Sequence, residues 1–196
     1  MSIAVFASGS GSNFEQLVCS SKGKEWPMSI SILICDKPQA KVLERAERLG
    51  IPAVLIEPKQ FSDKKAYEEA ILQVLHQYRV KWIFLAGYLR IIGSTLLNAY
   101  SGRIVNIHPS LLPAFPGLHA IEQAYQYQVK LSGVTVHFVD EGLDTGPIIA
   151  QVPVPLYETD TLESFAQRIH QAEHQIYPEV AVQLLASSAH PSIQIK

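Results

Sequence analysis

No run in this sequence is long and apolar enough to cross a bilayer, and the N-terminus lacks the charged-then-apolar pattern of an export signal. Met1 to Ala7 reads straight into a strand instead. Charge is scarce: charged residues make up 17% of the 196 positions and the net charge is -2, which argues against a protein that lives on nucleic-acid phosphates. Cysteine is scarcer still. Cys19 and Cys35 have no metal-ligand spacing and are too few for a disulfide framework, so two reduced thiols in a cytoplasmic protein are expected. Internal repeats, low-complexity stretches and linkers are missing too. What is abundant is apolar surface, 47% of residues, enough for a large core in one domain spanning 1–196.

The chain alternates strand-like and helix-like segments. Apolar runs at 3–7, 30–35 and 51–56 are followed by helical patterns, from Asn13 in the first case and at Val42, Leu43, Ala46 and Leu49 in the second. Ala66, Ala70, Ile71, Val74, Leu75 and Tyr78 form a third amphipathic face. "WIFLAG" (82–87) is the continuous apolar strand of a sheet covered on both sides, and a short helix near 94–100 leads into a strand at 103–107. The second half changes character. "GVTVHFVD" (133–140) alternates, and after "EGLDTG" comes "PIIAQVPVP"; two strands joined by a short glycine-bearing loop pair antiparallel. A closing helix carries Leu162, Phe165, Ile169, Ala172 and Ile176, with a loose tail expected from Ser187. The fold read from this is α/β and Rossmann-like: a mostly parallel sheet, helices on both faces, and an antiparallel strand pair in the C-terminal half.

Two stretches carry chemistry. In "SGSGSN" (8–13) a glycine-serine turn joins the first strand to a helix, offering backbone N–H groups to an anion at the positive helix end. Three readings stand. Gly9 and Gly11 supply two glycines of a dinucleotide fingerprint, with Asp36 as its ribose acid, but Phe14 occupies the third glycine's place and would crowd the helix–strand contact. The phosphate-binding lysine of a P-loop is absent. Ser12 with Glu15 fits a capping box that needs no ligand. A single phosphate, helped by Ser10, Ser12 and Asn13, is the favoured reading.

"RIVNIHPSLLPAFPG" (103–117) is the second stretch. Asn106 and His108, two apart on a strand, project from one face about 6–7 Å apart. Pro109 ends the pairing and puts them at a C-terminal strand edge, where ligands bind in open α/β sheets. An amide beside an imidazole suits negative charge growing on a carbonyl oxygen, and histidine also passes protons near neutrality. Asp144 in "EGLDTGP" is the acid that would hold His108 charged, with Gly142 and Gly146 letting its loop approach a ligand. The competing readings are a strand-end histidine with local hydrogen bonds, acids that decorate a turn, and a metal site from His108, His119 and His137, whose spacing zinc does not favour. His137 reads as a strand residue bonded to its neighbours.

With these residues placed, the chain resembles the glycinamide ribonucleotide transformylases, folate-dependent formyltransferases of purine synthesis, through "SGSGSN", "LAGYLRI", "NIHPSLLPAFPG", "GVTVHFVDEGLDTGP" and "EHQIYP" in order. The resemblance implies transfer of a formyl group from 10-formyltetrahydrofolate to the amine of glycinamide ribonucleotide, without a metal. It implies a phosphate-binding half over about 1–100 and a folate and catalytic half over about 101–186. Asn106 and His108 would stabilise the oxyanion, and Asp144 would keep His108 protonated and help move the proton. Gly11, Ser12 and Asn13 would hold the phosphate, and Glu173 the ribonucleotide. Lys64, Leu89, Arg90, Ile91 and Ile92 with Asp140, Glu141, Gly142 and Leu143 would make the folate pocket. The implied partners are these two small molecules, with no nucleic acid or membrane, in a cytoplasmic monomer or homodimer. Lys64 stands where the family commonly has arginine, Tyr88 and Leu89 replace a Phe-Met pair, and His170 replaces a neutral residue. Formyltetrahydrofolate hydrolases and methionyl-tRNA formyltransferases share the Asn/His/Asp set, but with added N-terminal and C-terminal domains respectively. The remaining rival is a non-catalytic nucleotide-binding or NAD-dependent module resting on Gly9, Gly11 and Asp36.

Overall fold

The first strand, β1 (Ser2–Ala7), is buried along its whole length, as its near-continuous apolar composition requires. Its side chains divide between two cores. Ile3, Val5 and Ala7 join one cluster, and Ala4 and Phe6 join the other. The computed structural model describes residues 2–23 and 26–189. Around β1 lie β2 (Ser29–Cys35), β3 (Ala53–Leu55), β4 (Val80–Leu85), β5 (Ile104–His108), β6 (Leu131–Phe138) and β7 (Ile148–Pro155), in the order β3-β2-β1-β4-β5-β6-β7. The first five in that order are parallel; β6 pairs antiparallel with β5, and β7 antiparallel with β6. This is the expected mostly parallel sheet, with β6 alone running against the rest.

Helices cover both faces, each presenting its apolar stripe to the sheet. Phe14 and Leu17 of α1 (Ser12–Gly23), Val42 and Ala46 of α2 (Val42–Leu49), and Phe165, Ile169 and Tyr177 of α6 (Leu162–Ala189) fill the first core. Tyr67, Ile71 and Leu75 of α3 (Lys64–Gln77) and Leu96 of α4 (Ser94–Ala99) fill the second. Phe14, fully buried, is worth about 1.5–3 kcal/mol where the third fingerprint glycine would have been. Asp63 starts α3 by accepting from the Ala66 N–H at 2.8 Å. The Tyr177 hydroxyl donates to the carbonyls of Leu85 (2.8 Å) and Val105 (3.1 Å), tying α6 beneath the ends of β4 and β5.

Three elements depart from the sequence reading. A short helix α5 (Ala120–Gln126) and a 3-10 turn at Pro58–Gln60 were not anticipated. Positions 187–189 of the expected loose tail belong to α6, which continues through Ala189; the rest of that tail lies outside the described residues. Strand order reverses between β1 and β4, with β2 and β3 on one side and β5 to β7 on the other. The loops leaving the C-terminal ends of β1 and β4 therefore diverge and leave a crevice between them.

Candidate active site

That crevice is a cavity of about 590 Å³. It is walled by 9–13 after β1, 85–92 after β4, 106–109 at the end of β5, 117–120, the 139–144 loop, and His170 and Glu173 of α6. It brings together both halves of the sequence reading, the anion turn and the Asn–His pair.

Asn106, His108 and Asp144 meet at its floor. Both ring nitrogens of His108 face acceptors: Nε2 lies 2.8 Å from the Phe115 carbonyl oxygen, and Nδ1 lies 3.4 Å from Asp144 Oδ2. Only the doubly protonated ring can donate to both. With Nε2 committed to the backbone, Nδ1 is the nitrogen positioned toward the carboxylate. Asp144 has φ +56°, a left-handed conformation that aspartate tolerates better than most residues, and its Oδ2 accepts from the Gly117 N–H at 2.8 Å. The glycines flanking Asp144 are required by the packing of its own loop, and Gly142 also lines the cavity. A Cβ at Gly142 would strike Thr145, and one at Gly146 would strike the Phe138 carbonyl.

His137 belongs to the same cluster. Register pairs Asn106 with His137 across β5 and β6. The His137 Nδ1 faces the Phe138 carbonyl at 2.8 Å and so carries the proton, leaving Nε2 to accept from Asn106 Nδ2 at 3.2 Å. The other Asn106 N–H points to Asp144 Oδ1 at 3.5 Å. Burial pushes the His137 pKa below the usual histidine value, against the partial opposition of its Phe138 hydrogen bond and Asp144, so the ring stays a neutral acceptor. It is bonded to its neighbours, as expected, but one neighbour is Asn106. A polar residue on the inward face of a strand beside the Asn–His strand was the available signal.

The anion turn is prebuilt. Gly11 has φ +76°, and a Cβ there would overlap the Val42 side chain, so glycine is required on both counts. The Gly9 carbonyl accepts from the Val42 N–H at 3.1 Å, and the Ser10 carbonyl from Arg45 Nε at 2.8 Å. The capping-box alternative is not what forms: the Glu15 carboxylate pairs with Arg45 and Arg48 of α2. Asn13 is buried with its Oδ1 unpartnered among the described residues. Glu173 is also buried and accepts from His170 Nδ1 at 2.8 Å, and this hydrogen bond raises the His170 pKa above the usual value despite partial desolvation.

On the opposite side, Leu89, Arg90, Ile91 and Ile92 line the cavity together with Asp140, Gly142 and Leu143. Asp140 Oδ1 holds its own loop by accepting from the Gly142 N–H (3.0 Å) and Thr145 Oγ1 (2.7 Å). Glu141 is exposed and does not line the cavity. Lys64 lines an adjoining cavity of about 550 Å³ that shares the 88–92 wall. Asp36, the candidate ribose acid, is buried and paired with Arg90 at 2.7 Å, which removes the acid that the dinucleotide reading needs. Among the described residues no cluster of His, Cys, Asp and Glu could hold a metal ion, and no helix is long and apolar enough to cross a membrane.

A family model described as formyl transferase matches residues 1–181. Over 182 residues the chain is 58% identical to the phosphoribosylglycinamide formyltransferase of Bacillus subtilis, covering 93% of each. It is 41% identical over 189 residues to the trifunctional purine biosynthetic protein adenosine-3 of Drosophila melanogaster, covering 95% of this chain and 14% of that protein. The crystal structure of glycinamide ribonucleotide transformylase 1 from Geobacillus kaustophilus superimposes with a TM-score of 0.91 at 54% identity, covering 93% of this chain and 97% of that one. A match of this length and identity, on the same fold, makes this chain a member of the formyl transferase family.

Proposed function

We propose that this chain transfers the formyl group of 10-formyltetrahydrofolate to the primary amine of glycinamide ribonucleotide, a step of purine synthesis. The observation that carries the reading is the single crevice holding an anion turn at one end, the Asn106–His108–Asp144 cluster at its floor and an apolar wall at the other end. The turn at Gly11, Ser12 and Asn13 takes the phosphate, helped by the His170 cation, while Glu173 faces the ribonucleotide. The folate ring lies against Leu89 to Ile92 and the 140–144 loop, and Lys64 in the adjoining cavity meets the anionic end of the cosubstrate.

In the reaction the amine nitrogen attacks the formyl carbon, forming a carbon–nitrogen bond and placing negative charge on the formyl oxygen. Asn106 Nδ2–H and His108 Nδ1–H turn from their long contacts with Asp144, 3.5 Å and 3.4 Å, to donate to that oxyanion. Collapse breaks the bond to folate N10, while the proton lost by the attacking nitrogen passes to N10 with Asp144 as the relay. Orientation of two bound substrates and the oxyanion donors carry the rate enhancement, and no metal or covalent enzyme intermediate is used. The two free thiols, Cys19 and Cys35, fit a reducing cytoplasmic setting.

The test follows folate release spectroscopically from 10-formyltetrahydrofolate or a deaza analogue. Release that depends on glycinamide ribonucleotide is expected. Release without an acceptor would point to a hydrolase, and no release with NAD binding instead would overturn the reading.

A further inference from the structure

The cavity's apolar wall, 86–93, contains no helix or strand, yet it must present a fixed surface. Backbone hydrogen bonds hold only its start, where the Ala86 N–H donates to the Phe6 carbonyl (2.8 Å) and the Gly87 carbonyl accepts from the Ser8 N–H (3.0 Å). The main-chain groups of Arg90, Ile91 and Ile92 make no hydrogen bond among the described residues, so buried side chains from elsewhere hold this part at its flanks. Ser8 Oγ accepts from the Leu89 N–H at 3.0 Å on one side. On the other, the Glu68 carboxylate accepts from the Gly93 N–H at 2.6 Å through Oε1 and from the Leu96 N–H at 3.3 Å through Oε2. Both Ser8 and Glu68 are only 3% exposed.

Glu68 is the unusual member. It is a carboxylate on α3 buried in the second core, and burial of such a group is costly unless its oxygens are satisfied. Its two donors are the N–H of Gly93, the N-cap residue of α4, which has no side chain of its own, and the N–H of Leu96, the third residue of that helix. Glu68 is thus a cap supplied across space, placed where the positive end of α4 favours a negative charge. The fit is tight, since a Cβ at 93 would meet both Glu68 oxygens.

We infer that Glu68 is a positioning residue for the folate side of the reaction: by capping α4 it fixes the C-terminal flank of the 89–92 wall, while Ser8 fixes the N-terminal flank. This rests on the assignment of that wall to 10-formyltetrahydrofolate. The ribonucleotide turn at 9–13 is held separately, by Val42 and Arg45. Loss of Glu68 therefore separates the two substrates, whereas a general loss of folded protein would lower kcat and leave both KM values alone.

The experiment is steady-state kinetics of Glu68→Gln with each substrate varied in turn, beside calorimetric binding of a deaza folate analogue. Glutamine keeps the shape and one acceptor but turns a donor toward the Leu96 N–H. The KM for 10-formyltetrahydrofolate and the analogue's Kd should both rise about tenfold, the scale of one charge-assisted hydrogen bond, with the ribonucleotide KM held within about twofold. Parallel rises in both KM values, or no rise in either, would overturn the inference. If Glu68→Gln fails to fold, Ser8→Ala carries the same test at the other flank, with the same expected split and the same overturning results. A wild-type enzyme without ribonucleotide-dependent release would refute the assigned reaction, whereas an active wild type with an unsplit variant refutes the role of Glu68 alone.

Discussion

Replacing Asp144 with asparagine removes one charge and almost no volume, and the structure says what should follow. The Gly117 N–H at 2.8 Å needs an acceptor, so the new amide oxygen takes the Oδ2 position and the NH₂ group takes that of Oδ1. A donor then faces Asn106 Nδ2, which lies 3.5 Å away, and the Asn106 amide loses the arrangement in which it gives one proton to His137 and one to Asp144. His108 Nδ1, 3.4 Å from the carboxylate, loses its anionic neighbour. For a protonated ring the attraction at that separation is about 5 kcal/mol for an effective dielectric of ~20. Loss of a positioned proton-transfer group costs about 10²–10⁴ in rate, or roughly 3–5 kcal/mol in the barrier, so both routes lead to the same scale. Stability should move far less, by about 1 kcal/mol or a few degrees in Tm. The assay is ribonucleotide-dependent folate release by Asp144→Asn, with a thermal melt of the same preparation. A folded variant that turns over within about threefold of wild type would remove Asp144 from the mechanism.

Gly11→Ala should abolish ribonucleotide binding and cost about 2 kcal/mol or more in denaturant unfolding, because alanine meets both a positive φ and the Val42 side chain. In His170→Gln the ribonucleotide KM should become nearly independent of pH. In the wild type the Glu173 hydrogen bond raises the histidine pKa, so its positive charge is complete below the usual histidine value and is lost as pH rises through the raised one; the wild-type KM should climb over that interval. His137→Phe should lower kcat about tenfold by leaving the Asn106 amide without its acceptor, measured beside a melt. Because burial lowers the His137 pKa, the unfolded chain takes up that proton first on acidification. Wild-type stability should therefore fall as pH drops below the usual histidine value, and His137→Phe should lack that component in acid-denaturation curves.

What the sequence revealed follows from how local each cause is. The apolar run 82–87 could only be a doubly covered strand, and Asn106 and His108 shared a face because alternate residues of a strand always do. Pro109 marked the strand end without reference to anything distant. His137 escaped because its partnership with Asn106, 31 positions away, is a matter of register between two strands, which no local pattern records. The capping box failed for a similar reason: Ser12 and Glu15 have the right spacing, but Arg45 and Arg48 arrive from another helix and take the carboxylate. Helix α5 is only seven residues long, too short for periodicity to stand out, and its buried Ala120, Ile121 and Ala124 are mostly small. Asp36 stands where a ribose acid would, but Arg90, 54 positions later, pairs with its carboxylate.

The reversed strand β6 has a consequence for how such a protein can change. Ladder pairing sets Asn106 opposite His137 and His108 opposite Thr135. Of the 22 residues between β5 and β6, the first support that pairing, since Thr135 Oγ1 donates to the Ser110 carbonyl (2.7 Å) and accepts from the Leu112 N–H (3.0 Å), while the outer part, including α5, returns the chain. Insertions or deletions in the outer part of this excursion, beyond the Phe115 and Gly117 anchors, would leave the reacting groups in place while reshaping the rim of the crevice. Selection can then act on substrate preference and on chemistry as separable traits, one written in a loop and the other in a ladder.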